Sequence, residues 1–306
     1  MVLMNDRWRF EVRAPRRLPQ ASPALAGVPA AQVLRRLRSP SYRLFADTVL
    51  GQVREAEQAA LDSSSLTEEK RSGCAKALAL SCWAARNARH ARLAKKALAA
   101  VGAGAWGCWC GAADWVIDYL VAADLLRAAG AMSGHDMEAF RERLAPKVGE
   151  GFALAPRLPQ NNWRIEADCA LGMAALMWWH CRGGCPVEEW LAAALDGLNR
   201  VLFGLLSADG AYEEGPNYSR RAAIPFIRLA YVYRRLAGVD LLNHPALRNW
   251  HCWQVEVKQP DGRTMPYDDS GGGFEGYPHA LLANPAYREA DVQRWAHDRA
   301  PVSSAL

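Results

Sequence analysis

Two stretches of this 306-residue chain, Trp115 to Leu126 and Cys169 to Trp179, are apolar most of the way round when wound into a helix. Each is far shorter than the 18 or more apolar residues that a membrane-crossing helix needs, and no run of that length occurs elsewhere. A short helix with no polar face has to be enclosed by other helices. Between the two lie segments of the opposite kind. Leu191, Leu195, Leu198, Leu202 and Leu205 form a single apolar stripe, the mark of a helix with one face to solvent.

The chain is rich in Ala and Leu and poor in runs of β-branched residues, so helix is expected to dominate. Breaks fall at Gly102–Gly111, Gly130–Gly134, Pro156–Pro159, Gly183–Pro186, Ser207–Pro216 and Asp261–Gly276, dividing it into about ten or eleven helices. Ser65-Leu-Thr-Glu68 reads as a capping box opening one of them, running to about Asn87. Alternation of enclosed and one-faced helices suggests inner helices ringed by outer ones. The expected fold is all-α, an incomplete α/α toroid of antiparallel hairpins, with an irregular bundle or solenoid as the alternative. No repeat of 30–45 residues is visible. Residues 1–40 read as an irregular basic arm and 41–306 as one toroid domain.

Apolar residues make up 51% of the chain and charged residues 23%, which excludes intrinsic disorder. Cations are lopsided, 31 Arg against 6 Lys, with a net charge of +5. Such a modest, dispersed excess argues against nucleic acid as a partner, whereas Arg suits planar anions such as carboxylates and sulfates. The first 20 residues are charged without an apolar core, so a cytoplasmic protein with reduced thiols is expected. Cys108-Trp-Cys110 is too closely spaced for zinc, and His180, Cys181 and Cys185 have no second ligand pair. Neither a metal nor a cofactor is expected, and no membrane partner.

Three loops concentrate polar chemistry. Gln160-Asn161-Asn162-Trp163 opens an enclosed helix; one Asn caps it, and the other is left to turn its amide outward. Asp209 to Arg221 carries Tyr212, Glu213, Glu214, Gly215, Pro216 and Tyr218, then Arg220 and Arg221. Pro216 is suited to start a helix, placing Tyr218 near its positive end. A free tyrosine has a pKa near 10, so acting as a base at neutrality requires such cationic company. The third loop, Pro260 to Gly273, contains Tyr267, Asp268 and Asp269, suited to an Arg, a cation or sugar hydroxyls. Asp114 and Asp118 share one face of an otherwise apolar helix and read as members of structural ion pairs. Of the 12 Trp, those near loops, such as Trp106, Trp109 and Trp163, can stack on sugar rings.

The three segments QNNWRIEADCALGMAAL, DGAYEEGPNYSRRA and PDGRTMPYDDSGGG, in that order, resemble the toroid domain of the heparinase II/III-like and alginate-lyase superfamily. The likeness covers roughly residues 110–295. It implies β-elimination on a uronic-acid-containing poly- or oligosaccharide. Asn161 or Asn162 would neutralise the uronate carboxylate, and Tyr218 would be the acid or base. Trp163, Glu214, Arg220, Arg221, Tyr267, Asp268 and Asp269 would contact substrate. The chain departs from the pattern where many relatives have a catalytic His after the Asn pair, a position held here by Trp163. No C-terminal β-sandwich is expected, and neither His251 nor His279 matches a family position. Two other readings stand beside the lyase: a non-catalytic acidic-saccharide-binding toroid, and an α/α-barrel glycoside hydrolase using two of Glu213, Glu214, Asp268 and Asp269. Apolar surface left by a missing partner domain would favour a homo-oligomer.

Overall fold

The computed structural model describes residues 10–17, 23, 25, 30–38, 43–61, 66–102, 109–181 and 184–257. Among these the protein is all-α. Ten helices run in order as α1 (Ala30–Leu37), α2 (Arg43–Leu61), α3 (Glu68–Ala85), α4 (Ala88–Ala99) and α5 (Trp109–Ala128), then α6 (Gly134–Leu154), α7 (Asn162–Trp178), α8 (Val187–Leu205), α9 (Gly215–Ala237) and α10 (Pro245–Glu256). One isolated bridge, Leu206 with Tyr212, is the only β pairing among the described residues. None of the described helices is long and apolar enough to cross a membrane.

Local chemistry sets most boundaries. Ser133 and Asp136 close a reciprocal capping box at the start of α6. Asn161 caps α7 by accepting from the Trp163 amide, and Pro216 lies in the first turn of α9. At α3 the cap is Thr67, not the expected Ser65: Thr67 Oγ1 accepts from the Lys70 amide. Glu68 is buried, where it accepts from Arg71 and from the Tyr119 hydroxyl, and Ser65 lies outside the described residues.

The two enclosed helices occupy the centre. α3 packs on α5, α5 on α7 and α7 on α9, in succession; α4 packs on α3, α6 on α5 and α7, and α8 on α7. In α7, every residue from Arg164 to Leu176 is buried. A helix this enclosed must pair its own charges, and Arg164 Nε donates to Asp168 Oδ2 at 2.8 Å within one turn. The neighbouring helix makes room for them with a glycine. A Cβ on Gly197 of α8 would sit 2.0 Å from Asp168 Oδ2 and 2.8 Å from an Arg164 Nη. Gly197→Ala is therefore expected to force α7 and α8 apart and cost about 1–3 kcal/mol, read as a lowered urea midpoint. A wild-type midpoint would show that the pair swings aside freely.

Several residues of the expected N-terminal arm are among those described. It contains α1, and residues 10–17 lie as an extended strap over α8 and α9. Phe10 stacks on Phe226 with ring centroids 5.9 Å apart, and its amide donates to Asn199 Oδ1. Tyr233 accepts from the Arg13 amide and donates to the Glu11 carbonyl, and the Arg16 amide reaches the Leu236 carbonyl at 2.8 Å.

Candidate functional site

The first two polar loops meet. The start of α7 and the turn before α9 are joined by Glu214, whose Oε2 accepts from the Asn162 backbone amide at 2.7 Å and from the Tyr212 hydroxyl at 3.0 Å. The turn is held from below by α10. Tyr212 stacks on Trp250 at 5.8 Å, and Trp250 Nε1 donates to Ser219 Oγ at 2.7 Å. Gly210 has φ +92, and a Cβ there would fall 2.1 Å from the Asn249 carbonyl carbon, so only glycine lets the turn lie against α10.

The two asparagines have divided their work. Asn161 is the cap. Asn162 does not face outward: it is 1% exposed, and its Nδ2 donates to Glu166 Oε1 at 3.0 Å. Glu166, a residue the sequence reading passed over, thereby becomes the centre of the site. Burial and the nearby Asp114 push its carboxyl up to about 7, against the pull of Asn162 and Arg221. It is thus an acid that is part neutral, part ionised at physiological pH.

Tyr218 lies in the first turn of α9, half-buried against the core, with half-buried Arg220 two residues on and exposed Arg221 one turn on. Tyr212 is 2% exposed, and burial and Glu214 hold its hydroxyl far above the ordinary value. Trp163 is exposed beside the cap, the single aromatic among the large exposed apolar side chains described. Glu213 is exposed, whereas Glu214 is occupied in joining the two loops. Tyr267, Asp268, Asp269 and His279 lie outside the described residues.

Across from α9, the pair Asp114 and Asp118 has split. Asp118 makes the expected structural ion pair, with Lys76 of α3 at 2.7 Å. Asp114 does not; its side chain reaches solvent yet is crowded by protein, and that partial loss of water lifts its pKa while Arg228, Lys76 and Arg221 pull it down. α5 and α9 both pack on α7 but scarcely touch one another. Asp114 and Arg221 both act electrostatically on Glu166, and Arg221 and Arg228 act on Asp114. A separate groove of about 500 Å³, lined by Leu205, Tyr212, Glu213, Pro216, Trp253 and Val257, has none of these four in its wall. No group of three or more His, Cys, Asp or Glu suited to a metal occurs among the described residues.

Neither models of known protein families nor curated protein sequences match this chain.

Proposed function

We propose that this chain is a polysaccharide lyase-like enzyme that cleaves an acidic, uronate-containing poly- or oligosaccharide by β-elimination where the start of α7 meets the turn before α9. The observation that carries the proposal is the junction of the two loops, with Asn162 on Glu166 at 3.0 Å and on Glu214 at 2.7 Å. The successive packing of α3, α5, α7 and α9, with α4, α6 and α8 against them, supports a toroid of the expected kind.

The hydrogen on C5 of a uronate becomes acidic only when the negative charge of its carboxylate is offset. In this reading Arg221 pairs with that carboxylate, and the neutral form of Glu166 donates a hydrogen bond to it. Asn162 then positions Glu166 instead of touching substrate. Tyr218, as the phenolate, removes the C5 proton, the electron pair forms the C4–C5 double bond as the C4–O bond breaks, and the leaving glycosidic oxygen takes that proton back from Tyr218. The product carries a double bond conjugated to its carboxylate, so incubation with a panel of uronans, followed by ultraviolet absorbance, tests the proposal. Absence of unsaturated product across alginates, pectates and glycosaminoglycans would overturn it.

A role for neutral Glu166 sets a pH dependence: activity falls as pH rises through about 7, and Glu166→Gln flattens that limb. Stability moves with it. A carboxyl raised in the folded state binds its proton more tightly there, so its contribution to stability is full below the unfolded pKa of about 4.5 and is lost as pH rises to about 7. Relative to Glu166→Gln, the wild type is expected to lose up to about 1.4 kcal/mol more per pH unit in that window, the linkage of one proton. Equal slopes in urea titrations at pH 5, 6 and 7 would show that Glu166 is ionised throughout.

A second reading is favoured by the electrostatic contact between Glu166 and Asp114. A proton-bearing acid beside a second carboxylate is also the equipment of a glycoside hydrolase. Reducing ends released without ultraviolet absorbance would select it over the lyase.

A further inference from the structure

The groove beside the turn before α9 takes no part in the chemistry proposed above. Its volume of about 500 Å³ is that of a small-molecule site, and Leu205, Pro216, Trp253 and Val257 make its wall apolar. Where the wall carries charge, the charge is negative. Glu213 lines it, is exposed, and makes no side-chain hydrogen bond or ion pair with another described residue. Ser207, also in the wall, donates its hydroxyl to Asp209, which keeps a second exposed carboxylate beside the groove. α8 ends at Leu205, and Gly204 and Leu205 both line the groove, so it lies at the negative end of that helix's dipole. No lysine, arginine or histidine is among the described residues that line it. Tyr212, its other titratable group, is held neutral by burial and by Glu214.

An apolar wall with negative charge and no cation is complementary to an organic cation. A hydrocarbon body suits the wall, and an ammonium suits the carboxylate and the helix end. Trp253 adds to the match, because the face of an indole attracts a cation. A metal ion fits less well, since it needs several oxygen ligands and most of this wall is carbon. We propose that the groove binds a small organic cation, an ammonium on an apolar body, seated on Trp253 with its charge toward Glu213 and the end of α8. The same charges repel an acidic sugar, so the site is distinct from the one proposed for the uronate and does not rest on the lyase reading. The two adjoin at Tyr212, which lines the groove and donates its hydroxyl to Glu214 at 3.0 Å.

Calorimetric titration of the full chain with three probes of similar shape tests it: phenethylammonium, phenethyl alcohol and phenylacetate. The ammonium is expected to bind about tenfold more tightly than the alcohol, the combined worth of a cation–π contact and an exposed ion pair. Phenylacetate should bind more weakly than either, and added salt should narrow the differences. Glu213→Gln is expected to lower ammonium affinity about threefold and to leave that of the alcohol unchanged. Gly204→Leu locates the site. A Cβ at Gly204 meets nothing within 4 Å, so a side chain can be added there and fill the groove, weakening ammonium and alcohol alike by about tenfold. Trp253→Ala should weaken both as well. The urea midpoint of each variant is measured first, so that a misfolded protein is not read as lost binding. Failure of the wild type to bind the ammonium, equal affinity for all three probes, or full affinity in folded Gly204→Leu overturns the proposal. Ammonium binding without unsaturated product from any uronan keeps the groove and removes the lyase; product formation without ammonium binding does the reverse.

Discussion

Trp250→Ala is expected to lower the free energy of unfolding by about 3–5 kcal/mol, the range for removing a buried indole. The side chain is 0% exposed, stacks on Tyr212, lies 6.3 Å from Phe226 and donates to Ser219. Three elements lose a partner at once: α10 its buried anchor, α9 a donor to its first turn, and the turn before α9 its support. The loss should therefore reach the junction of the two loops. With Tyr212 no longer stacked, Glu214 is less firmly held where it receives the Asn162 amide. Trp250→Phe keeps an aromatic surface and loses the indole donor, so it should fall between wild type and alanine. Urea unfolding with an unchanged m-value is the measurement. A loss under about 1 kcal/mol for the alanine variant would mean that α10 contributes little to the turn.

Tyr218→Phe is expected to reduce the rate of unsaturated product formation by about a hundredfold to ten-thousandfold, the usual worth of a positioned proton-transfer group. KM should change little, because the ring and its packing against the core remain. The contrast is Tyr212→Phe. That hydroxyl donates to Glu214 at 3.0 Å and is buried, so its removal should appear in stability and in a raised KM before it appears in the chemical step. Full turnover in Tyr218→Phe would remove the residue from the mechanism. A loss of equal size in Tyr212→Phe would mean that loop geometry, not proton transfer, limits the rate.

What could be read in advance followed from interactions that are local in sequence. Helix ends at Asn161, Ser133 and Pro216 are set by residues within four positions of the end, and the enclosed character of α5 and α7 follows from composition alone. At α3 two hydroxyl residues, Ser65 and Thr67, were open to the cap in the sequence, and the side chain that accepts from the helix is that of Thr67. Glu166 was hidden for a different reason. It lies in a run that looks like core, and its carboxyl matters only because α5 and α9 bring Asp114 and Arg221 to it across roughly fifty residues of chain. One local signal was available: Asn162 and Glu166 are four apart, hence on one helical face, a spacing at which amide and carboxylate bond directly. The division of Asp114 from Asp118 was not legible at all, since it depends on Lys76 of α3 reaching one of them and not the other.

The strap of residues 10–17 has a consequence for the order of folding. Its hydrogen bonds join positions 189 to 222 apart, Phe10 to Asn199 and Glu11 to Tyr233 among them. Contacts of such separation carry a large loop-closure cost until the intervening chain is compact. During synthesis the strap emerges well before α8 and α9 and cannot find its partners until both have left the ribosome. Hydrogen exchange at the Arg13 and Arg16 amides is therefore expected to report late protection in refolding, well after α5 and α7 are protected. Loosening at those two amides would likewise be an early event on the way to unfolding.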